Sequence, residues 1–260
     1  MVATVLVFEG QGARTVPGEP PVDLAALPAA EAQAAIVRHQ VVRAEPWRAA
    51  GDHAVVGQSL GEIAALVVAG ALDLDDAVEI ARLRAELPGE LLEPRDWTMA
   101  SLTRVRRRAV DAAATDLDLW VIGDNGPSDC VVVAVADHFA AFAERLRLNE
   151  ATYRELPVRH PYHTPLMTPV ATVLAARLAE IDVRDPVVPV LSPTGPRSVV
   201  AAADARTVLV DALVSPVAWS ATLKDAAGRW PDARWRECGP SESLYRFVWK
   251  NNLTLDWAAA

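Results

Sequence analysis

The chain has 260 residues, room for one large domain or two modest ones, and its 52% hydrophobic and 23% charged content excludes disordered and collagen-like chains. Lys plus Arg number 25 against 34 Asp plus Glu, a formal balance of −9, which argues against broad contact with nucleic acid or anionic lipid. Two cysteines beside apolar residues, no metal-ligand spacing, no basic leader before Glu9 and no apolar run near the roughly 18 residues of a membrane span predict a cytoplasmic protein without a metal.

In chain order, residues 2–8 are β-branched and run into Gly10-Gln11-Gly12, which predicts a buried strand ending in a tight turn. A Pro- and Gly-rich loop follows over 15–28, then an Ala-rich helix over 28–44. Residues 53–56 predict a second buried strand, closed by Gly57-Gln58-Ser59-Leu60-Gly61. The run 62–72 is apolar nearly all round, as a buried helix would be. Asp73 is placed to cap the next helix, whose 3.6-residue period runs to Leu87 before Pro88-Gly89 stops it.

From Met99 the pattern changes to a short strand, an Arg-rich helix over 104–116, strands over 119–123 and 130–134, a helix over 137–148 and a strand over 153–158. This β-α-β-β-α-β order predicts a small ferredoxin-like α+β subdomain at 98–158, inserted into an α/β core made of 1–97 and 159–260. The core resumes with a Pro- and His-rich loop and a helix over 165–181. A buried strand over 187–191, helices over 203–213 and 219–227, and a strand over 233–238 complete it.

Gly57-Gln58-Ser59-Leu60-Gly61 matches G-x-S-x-G between a strand and a helix, the setting of the nucleophile elbow in α/β-hydrolase-like cores. The helix N-terminus behind Ser59 adds positive partial charge where an oxyanion would form. A serine hydroxyl needs a base at neutral pH. Of the five histidines, His39, His53 and His138 fall on or beside regular elements, where a structural or solvated role is the plainer reading. His160 and His163 share a loop whose path Pro161 and Pro165 constrain. Arg84 falls within about 40° of Ile80 on a helical projection, in the apolar stripe of its helix. A core-facing guanidinium is costly unless paired, and its fork suits a carboxylate, whether of a substrate or of a buried Asp or Glu.

Six segments occur in order: Phe8-Glu9-Gly10-Gln11-Gly12, Gly57 to Glu62 (GQSLGE), Leu83-Arg84, His160-Pro161-Tyr162-His163, Ser215-Pro216-Val217-Ala218-Trp219 and Cys238-Gly239-Pro240. They are similar to F-P-G-Q-G, G-H-S-L-G-E, a carboxylate-binding arginine, H-A-F-H, S-P-V-R-W and V-G-P. In these the chain resembles the malonyl-CoA:acyl carrier protein transacylase family and the related acyltransferase domains of polyketide synthases, over essentially its whole length. The resemblance implies a hydrolase-like α/β core with a parallel sheet. It implies transfer of a malonyl-type group from coenzyme A to Ser59, then to the phosphopantetheine thiol of an acyl carrier protein, in fatty acid or polyketide-type biosynthesis.

It further implies His163 as general base and the backbone N–H groups of Gln11 and Leu60 as oxyanion donors. Arg84 would seat the acyl carboxylate, with Gln58, His160 and Tyr162 around it, and Tyr162 would narrow the pocket against α-branched groups. The main-chain carbonyl of Ala212 would orient the histidine, and no cofactor would be bound beyond the acyl-CoA substrate. Gln58, Glu9 and Ala13-Arg14 depart from the family's His, Pro and Ser-Gln, all near the expected pocket mouth. The 47 residues from 12 to 58 are shorter than is usual there, so some helical cover is expected to be absent.

A carrier is usually acidic, so this acidic chain needs a local basic patch. Arg104, Arg107 and Arg108, at helical spacings, predict one docking face opposite Val105, Ala109 and Ala112. A monomer without nucleic-acid or membrane partners is expected. Other readings stay open. An ordinary α/β-hydrolase would carry its histidine late in the chain, and none follows His163. A carrier-editing hydrolase of the same fold, a transferase between two carriers, or a non-catalytic carrier-binding module would share the motifs, although retention of Ser59, His163, Gln11 and Arg84 speaks against the last.

Overall fold

Short β-branched runs and Ala- and Leu-rich amphipathic segments alternate along the chain, and they fold accordingly. The structure, a computed structural model, describes residues 2–18, 20–194 and 197–259. In chain order come β1 (Thr4–Phe8), a small ladder of β2 (Thr15–Val16) and β3 (Val22–Asp23), α1 (Ala29–Arg48), β4 (His53–Gly57), α2 (Gly61–Val68) and α3 (Leu74–Leu91). Then follow β5 (Trp97–Thr103), α4 (Arg107–Ala113), β6 (Leu119–Gly126), β7 (Asp129–Val135), α5 (Ala136–Leu146) and β8 (Tyr153–Glu155). The chain continues through α6 (Thr168–Glu180), β9 (Val190–Ser192), β10 (Arg197–Val199), α7 (Ala202–Val214), α8 (Trp219–Arg229), β11 (Arg234–Glu237), α9 (Tyr245–Lys250) and β12 (Asp256–Ala259).

Among the described residues, six strands form one sheet in the order β10-β9-β4-β1-β11-β12, parallel except for β10 against β9. Every residue of β1 and β4 is buried. Their side chains alternate between two cores: Leu6, Phe8 and Val55 meet α1, α2, α3, α6 and α7, while Val5, Val7 and Val56 meet α8 and α9. Helices on both faces explain why these strands read as unbroken apolar runs. The second sheet, ordered β6-β7-β5-β8, is antiparallel throughout and covered on one face by α4 and α5 around Phe139 and Phe142. Its β-α-β-β-α-β succession is that of a ferredoxin-like unit. The two sheets are tied where Asp124 N–H donates to Val217 O and Val217 N–H to Ile122 O, each at 2.9 Å.

Several boundaries differ from the sequence reading, each for a local reason. The helix after the elbow ends at Val68 rather than Leu72, because Gly70 at φ 79° turns the chain. Asp73 sits at the N-cap of α3 but gives its carboxylate to Arg184 at 2.6 Å instead of capping. Pro88 does not stop α3; it lies inside it. Its missing N–H leaves the Arg84 carbonyl without its helical donor, and the Tyr162 hydroxyl donates there at 2.8 Å. α1 runs past Ala44 to Arg48 with Pro46 in its last turn. α4 begins only at Arg107, since Arg104 turns at φ 62°, and it buries Val110 and Ala113 rather than Ala109 and Ala112. The strand expected from Val187 starts at Val190, because Pro189 has no N–H to give a ladder and Val187 lies exposed over Gly70. β10, α9 and β12 were not anticipated.

Candidate active site

The elbow is built by close approach. A Cβ on Gly57 would lie 2.5 Å from the Glu62 backbone, and one on Gly61 would lie 2.3 Å from Phe8 O, so only glycine lets α2 pack so tightly against β1. Between them Ser59 takes φ 54°, a left-handed conformation that costs about 1–3 kcal/mol in a non-glycine residue. His163 is also left-handed, at φ 65°, and its N–H donates to Leu213 O at 2.7 Å. The two strained residues meet: Ser59 Oγ lies 2.8 Å from His163 Nε2.

The His163 ring is buried, and burial, with the nearby positive charge of Arg84, pushes its pKa down to about 3. The imidazole is therefore neutral at physiological pH and free to take the serine proton. Its Nδ1 is buried without a hydrogen bond of ordinary geometry, and the carbonyls of Ala212 and Ser215 draw it electrostatically. Neither the Gln11 nor the Leu60 backbone N–H finds a backbone acceptor among the described residues, which leaves both donors open beside the elbow.

Arg84 is 6% exposed and places its guanidinium between Gln33 Oε1 at 2.8 Å and Ser59 Oγ at 3.2 Å, over the Tyr162 ring at 4.3 Å. Glu62 acts on it only at longer range, and burial raises the Glu62 carboxyl to about 8, largely neutral at pH 7. The buried cation thus rests on neutral partners beside the Ser59 hydroxyl. Gln33 also reaches Gln11 Oε1 at 3.2 Å, and Gln40, two turns along α1, donates to Glu9 O at 2.7 Å. These two buried glutamines hold residues 9–11 against the elbow. The sequence reading missed them, although two glutamines seven residues apart, on the same face of an Ala-rich helix, were a usable signal.

One cavity joins Gln11, Gln58, Ser59, Arg84, Tyr162 and His163. The antiparallel sheet supplies Met99, Ser101, Ile122 and Val131 as a wall, and Arg154, Arg246 and Phe247 also line the cavity. Gln58 reaches Asn125 at 3.4 Å. His160 is not brought in: it lines a separate depression with Leu92 and Trp97, its ring edge-on to Tyr162 at 6.1 Å. The left-handed turn at His163 sends only the second histidine inward. Glu9 is not at the mouth either; it is 1% exposed and accepts from Ser241 N–H at 2.6 Å and from the Ser241 and Ser243 hydroxyls. Arg107 is held by Asp111 at 2.7 Å and, like exposed Arg104 and Arg108, stands outside the cavity. Burial pushes both thiols, Cys130 and Cys238, up to about 12. Among the described residues no cluster of three His, Cys, Asp or Glu could hold a metal ion, and no helix is long and apolar enough to cross a membrane.

A family profile described as the acyl transferase domain matches residues 28–233. A curated malonyl CoA-acyl carrier protein transacylase of Haemophilus influenzae is 31% identical over 179 residues, covering 66% of this chain and 57% of that protein's length. One from Bacillus subtilis is 29% identical over 233 residues, covering 86% of this chain and 73% of its own. The solved acyltransferase domain of an iterative polyketide synthase in enediyne biosynthesis is similar at 30% identity and a TM-score of 0.78, covering 100% of this chain and 67% of that one. The malonyl CoA-acyl carrier protein transacylase of Coxiella burnetii shares the fold at a TM-score of 0.85 and 24% identity, over 99% of this chain and 93% of the other.

Proposed function

The chain belongs to the acyl transferase domain family, and from that premise we propose that it moves a malonyl-type group from coenzyme A, through Ser59, to the phosphopantetheine thiol of an acyl carrier protein. The observation that carries this reading is Arg84: a buried guanidinium, without a charged partner at hand, 3.2 Å from a serine that is 2.8 Å from a neutral histidine. A carboxylate at the end of the acyl group would supply the missing anion, at about 1.5–3 kcal/mol for a charge-assisted contact.

His163 Nε2 takes the Ser59 proton as Oγ attacks the thioester carbonyl. The carbonyl oxygen becomes an oxyanion facing the Gln11 and Leu60 N–H groups. When the tetrahedral species collapses, the C–S bond breaks and the histidine returns its proton to the departing coenzyme A thiolate. The carrier thiol then gives its proton to His163, attacks the Ser59 ester and leaves as the new thioester, restoring the serine. The strained backbone at both residues favours this preset geometry. Tyr162, fixed by its bond to the Arg84 carbonyl, sets the wall that a methyl on the α-carbon would meet. Fatty acid or polyketide-type biosynthesis is the setting, with the chain a cytoplasmic monomer that binds no further cofactor. Exposed Arg104 and Arg108 are proposed as contacts for the carrier.

Mass spectrometry of the intact protein with malonyl-CoA tests the reading. The unmodified chain gains one malonyl mass and passes it to a phosphopantetheinylated carrier, and Ser59→Ala gains none. A mass gain that persists in Ser59→Ala overturns it.

A further inference from the structure

Glu9 stands where the resembled family carries proline, and the acyl-transfer steps give its side chain no part. It directly follows β1, is 1% exposed, and rests its carboxylate on three neutral donors: the Ser241 N–H at 2.6 Å, the Ser243 hydroxyl at 3.0 Å and the Ser241 hydroxyl. The segment it grips, between β11 and α9, is turned by a second carboxylate, since Glu237 accepts the N–H groups of Leu244 and Tyr245 at 2.7 and 3.2 Å. A Cβ on Gly239 would collide with the Glu9 side chain, so glycine there makes room for it. Ser243 in turn lines the cavity that holds Ser59.

The backbone of Glu9 belongs to the elbow. Its carbonyl accepts from Gln40 at 2.7 Å, and the carbonyl before it, Phe8 O, accepts from the Gln58 N–H at 2.8 Å. Two residues on lies the Gln11 N–H, which finds no backbone acceptor among the described residues. Beyond it Gly12 is exposed, and a Cβ there would meet nothing within 4 Å, so the peptide has little support from its C-terminal side. Gln33 steadies the Gln11 side chain at 3.2 Å, but the N–H itself hangs from Glu9, whose carbonyl and carboxylate are both tied. An oxyanion donor works only where it meets the developing charge, so the anchor of this peptide bears on the rate.

We propose that Glu9 is a positioning residue for acyl transfer: clamped by Ser241 and Ser243, it anchors residues 9–11 and so sets where the Gln11 N–H meets the oxyanion. The proposal rests on the acyl-transfer reading for the reaction it serves. The role is geometric. A negative charge two residues from an oxyanion donor opposes the charge that develops there, and the three donors on the carboxylate offset it locally. Glutamine in its place keeps an acceptor for the Ser241 N–H and turns an amide towards the hydroxyls, which accept as well as donate, so it preserves the clamp without the charge.

Rapid-quench measurement of Ser59 loading by malonyl-CoA separates rate from affinity. Glu9→Ala is expected to lower the saturated loading rate at least about tenfold while the half-saturating concentration moves less than about twofold, and Glu9→Gln to stay within about threefold of the unmodified chain. With an isotope-labelled acyl carbonyl, the infrared ester band of the loaded enzyme should move to higher wavenumber in Glu9→Ala, because a carbonyl that loses a hydrogen bond stiffens. The Ser241→Ala/Ser243→Ala double variant, which leaves the carboxylate only the Ser241 N–H, should move rate and band in the same sense, and it decides the matter if Glu9→Ala does not fold by circular dichroism. A folded Glu9→Ala that loads at the unmodified rate, a loss carried by half-saturation with the band unmoved, or a Glu9→Gln that falls as far as Glu9→Ala overturns the proposal. Labelling of Ser59 by a fluorophosphonate, whose phosphoryl oxygen takes the oxyanion position without any thioester, keeps the two readings apart. If malonyl-CoA never loads Ser59 yet labelling slows in Glu9→Ala and recovers in Glu9→Gln, the acyl-transfer reading fails and the positioning role stands; labelling that Glu9→Ala leaves unchanged overturns the role.

Discussion

The two sheets meet at one cavity, and they are built to different tolerances. In the parallel sheet β1 and β4 are covered on both faces, and the turn they support leaves no room for a Cβ at Gly61. In the antiparallel sheet α4 and α5 cover one face, Met99, Ser101, Ile122 and Val131 line the cavity, and a Cβ at Gly123 would meet Val131 at an ordinary 3.4 Å. Ser59, Arg84 and His163, the residues proposed to act on the acyl group, sit on the first frame; Ser101, Ile122 and Val131, which line the same cavity, sit on the second. Chemistry needs atoms held to within a few tenths of an ångström, whereas fit to an acyl group tolerates adjustment of a wall.

The sharpest way to break this contrast is to add one methyl group to each frame. Gly61→Ala must displace α2 from β1 and is expected to abolish loading and cost about 3 kcal/mol or more, while Gly123→Ala costs under about 1 kcal/mol. Urea unfolding of both variants checks this, and equal losses would refute the difference in tolerance. Next in size, Arg84→Ala on the rigid frame should cut malonyl loading by roughly ten- to a hundredfold and acetyl loading far less. Parallel decline of the two substrates in a folded variant would make Arg84 a structural residue.

On the adjustable frame, Val131→Ala should raise methylmalonyl loading relative to malonyl by up to about 1 kcal/mol, read from competition between the two thioesters, with little change for malonyl itself. A fall in both would show the wall to be as intolerant as the elbow.

The pH dependence of stability should also belong to the core. His163 titrates at about 3 when folded and at about 6.5 when unfolded. Between these values the unfolded chain binds a proton that the folded one refuses, so this contribution is complete above about pH 6.5 and is lost as pH falls. Glu62, raised to about 8, works the other way: the stability it allows below about pH 4.5 declines as pH rises towards 8. Glu62→Gln should therefore gain on the unmodified protein between pH 5 and 8 in urea midpoints, and a constant difference would refute this. The smallest effect expected is on the carrier. Reversing Arg104 and Arg108 should slow carrier acylation at low salt and leave loading from coenzyme A unchanged, and the difference should vanish as salt screens it.

Much of this molecule was legible from local pattern. The strand–turn–helix around Ser59 follows from a β-branched run, glycines flanking the serine and an apolar helix, and Arg84 could be placed in its buried stripe because a 3.6-residue period is a property of neighbours in sequence. The second sheet was legible as well, because a β-α-β-β-α-β order of elements interrupts the strand–helix alternation of the rest. Tertiary structure alone decided what faces what. His163 reaches Ser59 from 104 residues away, and Gln33 reaches Arg84 from 51. His160 and His163 share one loop, yet only the second enters the cavity, because its left-handed backbone is held through the Leu213 carbonyl. Pro88 leaves the Arg84 carbonyl open, but only the fold brings Tyr162 to it. Arg154 and Arg246 carry no signal along the chain; only the fold brings both to the lining of one cavity. Periodicity constrains the face a residue presents, while the partner on that face depends on packing among distant elements, which no window of local sequence contains.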